Sequence, residues 1–115
     1  MRFEGRELKP FAEPVSAADL HEGSAYFAVT YVDDDMLIPT METLVFIGKN
    51  LEIDDVAEAY FQEINSYRQG VRYGWDVKDG EASFYSGPEN ELHHIFDFDH
   101  ALEELMKCSL RRSKS

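Results

Sequence analysis

The stretch Thr43-Leu44-Val45-Phe46-Ile47 is apolar or β-branched at every position, and it decides the fold class. Successive side chains of a β-strand point to opposite faces of the sheet. A strand that is apolar in both sets is therefore one that other parts of the chain cover on both sides. Gly48-Lys49-Asn50 follow with residues that favour a turn. We predict a central strand over residues 43–47.

A second strand is predicted before this stretch, over residues 25–32. Ala25-Tyr26-Phe27-Ala28-Val29-Thr30-Tyr31-Val32 is rich in the aromatic and β-branched residues that pleated sheets favour. Asp33-Asp34-Asp35 ends it. A short apolar piece over residues 36–38 is predicted as a further strand, and it stops at Pro39 because proline cannot donate to a central ladder.

Residues 53–70 carry two competing patterns. Helical spacing connects the apolar residues Ile53, Val56, Tyr60, Ile64 and Tyr67. Asp55 and Glu58 resemble a capping box, and Gly70 fits the position after a helix end. Residues 57–62, however, also alternate as a half-buried strand does. We predict one helix, with a strand followed by a short helix at 64–69 as the alternative.

Asp79-Gly80 marks a tight turn, since this pair tolerates the positive φ angles of a type I′ hairpin. Residues 71–78 and 81–86 are predicted as its two strands. The pairing counted from the turn sets Trp75 opposite Phe84.

The last third of the chain predicts a strand and then a helix. Residues 91–98 alternate, with Leu92, His94, Phe96 and Phe98 expected on one face. Asp99 is the predicted N-cap of a helix over 100–111. The apolar stripe expected to pack this helix comprises Leu102, Leu105, Met106 and Leu110, with Ala101 at its margin.

These elements predict an α+β fold in one globular domain, residues 1–115. We expect a mainly antiparallel, twisted sheet of about six short strands, with the C-terminal helix packed on one face. Residues 1–24 are predicted to be an irregular N-terminal segment because Pro10 and Pro14 oppose regular structure. Residues 112–115 are predicted to be a frayed basic tail.

The charge of the chain is strongly negative, −12 from 23 acidic and 11 basic residues. Residues 1–106 hold all 23 acids and seven of the 11 bases, a net charge of −16. Nucleic-acid phosphates and anionic membrane surfaces repel such a body, so neither is an expected partner. A basic protein is the expected partner class. The longest uninterrupted apolar run, residues 44–47, cannot span a bilayer, and the N-terminus lacks a signal-peptide core. We expect a cytoplasmic protein.

Residues 93–100 concentrate three histidines and two aspartates, which are metal-ligand types. Their spacing matches no standard zinc pattern, and His94 falls among aromatic residues, where a packed, hydrogen-bonded side chain is expected. We therefore predict no metal and no cofactor. The single cysteine, Cys108, is expected to be partly buried and inert.

Two functional hypotheses follow, and no catalytic motif decides between them. The first is a non-catalytic binding or accessory protein whose acidic turns contact a basic protein, and its predicted contact residues are Asp33, Asp34, Asp35, Asp54 and Asp55. The alternative is a small-molecule-binding protein or an enzyme with an aromatic-lined pocket built from the 60–100 region. Scattered His, Tyr and carboxylates can build a proton-transfer site, so catalysis stays open. A homodimer joined along a strand edge is a third possibility.

Overall fold

In a computed structural model of the protein, residues 12–74 and 82–114 are described. They form five β-strands and two α-helices, with short 3₁₀ turns at Ala17–Asp19 and Glu89–Glu91. In chain order the elements are β1 (Ala25–Tyr31), β2 (Pro39–Lys49), β3 (Glu58–Glu63), α1 (Ile64–Arg68), β4 (Phe84–Pro88), β5 (Ile95–Phe96) and α2 (Phe98–Lys114).

The strands form one sheet in the order β4-β3-β2-β1-β5, and every neighbouring pair is antiparallel. The predicted central strand is confirmed, because β2 occupies the middle position and Leu44, Val45 and Phe46 are buried on both of its faces. The α+β class with a C-terminal helix on one face is also confirmed. The described residues contain five strands instead of about six.

Alternate residues of each strand divide the core into two clusters, one on each face of the sheet. We name one face the cavity face. Side chains from the segments before β1 and β5 cover its cluster, whose buried members are Leu20, Tyr26, Leu44, Phe46, Ala59, Phe61, Leu92 and Ile95. The helix face carries a smaller cluster beneath α2, whose buried members are Ala12, Val29, Phe96 and Ala101.

The prediction of one helix over residues 53–70 is wrong, and its alternative, a strand followed by a short helix, is correct. Residues 58–63 form β3, which is hydrogen-bonded to β2 on one side and β4 on the other. Its four middle residues are all buried, as a strand covered on both faces requires. Phe61 lies opposite Phe46, with 5.6 Å between ring centroids. Tertiary burial on both faces therefore overrides the helical spacing.

Local capping starts and ends the short helix α1. The carboxylate of Glu63 accepts hydrogen bonds from the backbone N–H groups of Asn65 and Ser66. The helix ends at Arg68 and Gln69 is its C-cap; Gly70, with a φ of 92°, occupies the predicted position after the C-cap. Glycine adopts such a positive φ without the steric penalty that other residues meet.

Two other predicted strands differ from the structure. Residues 36–38 belong to the loop before β2, because Pro39 begins that strand at the edge of its pairing with β1. Residues 71–74 are irregular, and residues 84–86 pair with β3 as part of β4. The predicted Asp79-Gly80 turn and the Trp75–Phe84 pair depend on residues outside the described ranges.

The predicted strand over 91–98 is shortened to two residues, 95 and 96. Its first residue belongs to a 3₁₀ turn, and the backbone turns again before β5. His94 and Phe98, which alternation placed on a buried face, are exposed as a result.

Because β5 ends early, α2 also begins earlier than expected. Asp97, not Asp99, caps it, with Oδ1 accepting a 2.9 Å hydrogen bond from the backbone N–H of His100. At the other end, residues 112–114 continue the helix instead of fraying. The Nε of Arg111 donates to the carbonyl oxygen of Met36 at 3.0 Å and ties the last turns to the loop before β2.

The predicted apolar stripe of α2 packs on the sheet only through Leu105 and Ala101. The helix buries Ala101, Glu104 and Cys108, with Leu105 half-buried beside them. Leu102, Met106 and Leu110 are exposed. No helix among the described residues is long and apolar enough to cross a membrane.

Candidate functional site

A cavity of about 220 Å³ lies on the cavity face of the sheet, over the middle of β2. Its floor consists of residues that alternate along β1 and β2, and its rim is formed by β4 and the segment before β5. Its polar lining comprises Thr30, Thr40, Glu42, Tyr85, Ser86, Glu91 and His94, and its main apolar lining comprises Leu44, Phe61, Leu92 and Ile95. We name it the sheet cavity.

The polar groups of the sheet cavity are arranged across three strands. The hydroxyls of Thr30 on β1 and Thr40 on β2 share a hydrogen bond of 2.6 Å. The hydroxyl of Tyr85 on β4 donates to Oε1 of Glu42 at 3.1 Å. Burial and this hydrogen bond to Glu42 raise the pKa of Tyr85. The phenol is the donor of this hydrogen bond and holds the Glu42 carboxylate in place.

A second cavity of about 400 Å³ adjoins the first at the C-terminal end of β1. We name it the helix cavity, because Glu104 of α2 forms part of its wall. Thr30 and His94 line both cavities, so the two share a boundary. The remaining lining comprises Pro14, Val29, Tyr31, Met36, His93 and Phe96.

Glu104 is the most deeply buried carboxylate at the helix cavity, with only 1% of its surface exposed. It accepts a 2.8 Å hydrogen bond from the backbone N–H of Ala12 and a second one from the hydroxyl of Tyr31. Nη2 of Arg111 lies 3.8 Å from Oε2 of Glu104. Burial, together with the hydrogen bond to Glu104, raises the pKa of Tyr31 to about 12.

The sheet cavity has a negative lining. Glu42 and Glu91 line it, and no Lys or Arg is found among its described lining residues. Glu104 lines the helix cavity, but the guanidinium of Arg111 already lies beside its carboxylate. Carboxylates in a partly enclosed site interact more strongly with a cation than carboxylates in open solvent. The chemistry of the lining therefore suits an ammonium or guanidinium group with an apolar stem.

The predicted contact residues at 33–35 lie in the loop beyond the start of β2. Asp33 shapes this loop, because its carboxylate accepts hydrogen bonds from the backbone N–H groups of Leu37 and Ile38. Burial acts in the opposite direction, but these hydrogen bonds prevail and lower the pKa of Asp33. Asp34 and Asp35 are exposed. Two of the three acids are therefore accessible to a partner.

The predicted contact residues at 54–55 lie in the loop beyond the other end of β2. Asp54 is exposed. The carboxylate of Asp55 accepts hydrogen bonds from the hydroxyl of Tyr60 and, at 3.0 Å, from the backbone N–H of Glu52. The eleven residues of β2 separate the two acidic loops by about 35 Å. The structure therefore does not bring the two predicted clusters together.

The histidine cluster of the sequence does not assemble either. His93 and His94 are exposed, so the interpretation of His94 as a packed residue is wrong. His100 bonds to Asp97 on the first turn of α2, with 2.8 Å between Nδ1 and Oδ1. Over the described residues, no group of three or more His, Cys, Asp or Glu side chains is placed to hold a metal ion.

Sequence reasoning missed Glu42, Glu91, Tyr85 and Glu104. One signal was present in β2, where the polar residues Thr40 and Glu42 share a face with Leu44 and Phe46. A polar residue on a buried face commonly marks a cavity or a site. Comparison of the chain with models of protein families, with curated proteins and with solved structures finds no match.

Proposed function

We propose that the protein is a non-catalytic, cytoplasmic binding protein for a basic protein partner, and that a Lys or Arg side chain of the partner enters the sheet cavity. One observation carries the proposal: the sheet cavity is lined by the carboxylates of Glu42 and Glu91 and, among its described lining residues, by no Lys or Arg. The surrounding chain carries a net charge of −12, which would attract a basic partner over a longer range.

The chemistry of the sheet cavity supports a long basic side chain. The carboxylate of Glu42, held by Tyr85, is a ready acceptor for a charge-assisted hydrogen bond. Leu44 and Phe61 line the same cavity and offer apolar surface to the stem of a Lys or Arg. Binding of this kind places the charged group at the carboxylate while the methylene groups leave water.

The acidic loop at 33–35 belongs to the same proposed contact surface, and the loop at 54–55 lies outside it. β1 and β2 meet at this loop, and Thr30 and Thr40, which line the sheet cavity, are close to its two ends. Asp34 and Asp35 would then increase the rate of encounter with the partner, while Glu42 and Glu91 would slow its dissociation.

Capture from a lysate of the native host at low salt, with mass spectrometry, identifies the partner, and titration calorimetry then measures its affinity. We expect the double variant Glu42→Gln/Glu91→Gln to weaken binding by about tenfold or more. The matched control, Glu13→Gln/Asp19→Asn, removes two exposed charges outside both cavities and should change the affinity much less. Higher salt should weaken the wild-type complex.

Equal affinities of the cavity variant and the control would overturn the proposal.

A second candidate, a small cationic ligand, is favoured by the size of the helix cavity, about 400 Å³, which lies in the range of small-molecule sites. Thermal shift with free arginine and with a diamine separates the two. A stabilisation by either compound that Glu42→Gln leaves unchanged, without any captured protein, would favour a small ligand in the helix cavity, because Glu42 lines only the sheet cavity.

A further inference from the structure

The helix α2 turns its most apolar ridge toward solvent. Phe98, Leu102, Met106 and Leu110 recur every four residues, and their exposed fractions are 63%, 47%, 67% and 62%. We name this ridge the α2 stripe. A helix normally buries its most apolar face, whereas α2 directs Ala101, Glu104 and Cys108 to the sheet. The exposed ridge is thus available to cover a second apolar surface.

The α2 stripe continues onto the sheet. Met41 of β2, 54% exposed, lines a shallow groove together with Phe98 and Leu102. Phe27 lies beneath Phe98, with 5.9 Å between ring centroids in an edge-to-face arrangement. A contiguous apolar patch of this kind on a highly charged chain marks an interaction surface.

The charges beside the α2 stripe indicate which molecule covers it. At 100° per residue, Asp99, Glu103 and Lys107 follow one flank of the stripe, while Lys114, four residues after Leu110, lies at the end of the stripe itself. On this flank the two acids, Asp99 and Glu103, precede the base, Lys107. In an antiparallel twofold pair this flank stays on the same side of both helices, so Lys107 of one copy lies between Asp99 and Glu103 of the other. A parallel twofold pair turns the flank to opposite sides and makes no such pairing.

We propose that the protein forms a twofold-symmetric homodimer in which the α2 stripes of two copies pack antiparallel. The symmetry axis crosses the stripe at its midpoint, so Leu102 of one copy faces Met106 of the other and Phe98 faces Leu110. An interface of this kind is isologous, because the same surface serves both copies. Ridges formed by every fourth residue interdigitate in the commonest class of helix packing.

This dimer leaves the sheet cavity free, because the α2 stripe and the sheet cavity lie on opposite faces of the sheet. The proposal is therefore independent of the proposed partner. It also differs from a dimer along a strand edge, since it uses side chains of α2 and no backbone pairing.

Sedimentation equilibrium of the full chain tests the proposal. We expect wild type to be a dimer at micromolar concentration, and Met106→Glu to weaken the dimer at least tenfold. Ile53→Glu is the matched control: it places the same charge at an apolar residue that is 99% exposed and distant from α2, and it should remain dimeric. Circular dichroism verifies that both variants are folded.

A charge exchange tests the antiparallel arrangement. Glu103→Lys should weaken the dimer, and the double variant Glu103→Lys/Lys107→Glu should restore it. A wild type that stays monomeric at the highest concentration reached would overturn the proposal, as would a Met106→Glu variant that associates as strongly as Ile53→Glu. A dimer that is sensitive to Met106→Glu but indifferent to Glu103→Lys would overturn the antiparallel arrangement.

Discussion

The carboxylate of Glu104 on α2 accepts a hydrogen bond from the hydroxyl of Tyr31 on β1, and this bond joins the helix to the edge of the sheet. The Glu104 side chain is almost fully buried. The backbone N–H of Ala12 donates to the other carboxylate oxygen, so the same residue also fixes the segment that precedes the sheet. A buried acid with several partners holds three distant parts of the chain in register.

Replacement of Glu104 should therefore destabilise the fold. Glu104→Ala leaves the Tyr31 hydroxyl and the Ala12 N–H without their acceptor, and we expect the free energy of unfolding to fall by about 3 kcal/mol. Urea denaturation measures the change. Asp54→Ala, at an exposed acid in the loop after β2, is the control and should shift it by less than about 0.5 kcal/mol. Similar losses in the two variants would contradict a structural role for Glu104.

The Tyr31 hydroxyl should make the fold sensitive to alkaline pH. Its pKa rises from 10.0 to about 12 on folding, mainly through burial. A raised pKa means that the folded protein binds the proton more tightly than the unfolded chain does. The resulting stabilisation is complete below pH 10 and is lost as the pH rises toward 12. Tyr31→Phe should show a smaller decline in the free energy of unfolding over this range, and an identical decline would refute the assignment.

The N-terminus of α2 offers a third prediction, since its cap is Asp97 and not Asp99. Asp97→Ala should lower the free energy of unfolding by about 1 kcal/mol. Asp99→Ala removes an exposed acid from the first turn and should have a smaller effect, near 0.3 kcal/mol. Denaturant titration of the two variants distinguishes the caps. A larger loss for Asp99→Ala would show that the helix begins two residues later.

The contribution of this cap to stability depends on pH because the pKa values of its two residues shift in opposite directions. Hydrogen bonding from the backbone N–H of His100 lowers the pKa of Asp97, and the hydrogen bond to Asp97 raises the pKa of His100. The Asp97 contribution is lost as the pH falls below 3.8, and the His100 contribution is lost as the pH rises above 6.5. The difference between wild type and Asp97→Ala should therefore be largest between these pH values. A difference that does not vary with pH would exclude the pair.

The parts of the fold that the sequence predicts are those set by nearby residues. Residues 44–47 of β2 are apolar in both of their alternating sets, which indicates a strand covered on both sides wherever its neighbours come from. Gly70 ends α1 because a positive φ is required there. By contrast, residues 58–63 satisfy helical and strand patterns equally, and only the pairing of β3 with β2 and β4 selects the strand.

The candidate site could not be predicted from the sequence because its contacts join residues that are far apart in the chain. Glu42 and Tyr85 are 43 residues apart, and Glu104 meets residues 73 and 92 positions away. No local pattern encodes such pairings. The orientation of α2 could not be predicted for the same reason. Its apolar ridge was expected to pack on the sheet, but the face that carries Glu104 packs there instead. That face can be buried because Tyr31 and Ala12 supply the hydrogen-bond donors that a buried carboxylate needs.

Two glycines with open space around them provide a matched test of backbone strain. Neither Gly70 nor Gly87 has an atom within 4 Å of the position that a Cβ would occupy, but only Gly70 has a positive φ, 92°. Gly70→Ala should therefore lower the free energy of unfolding by about 1 kcal/mol, because alanine is strained in that conformation. Gly87→Ala meets neither a clash nor a strained φ, and it restricts the unfolded chain, so it should be neutral or stabilising. Urea denaturation of both variants measures the contrast, and a Gly70→Ala variant as stable as wild type would mean that α1 does not end in this conformation.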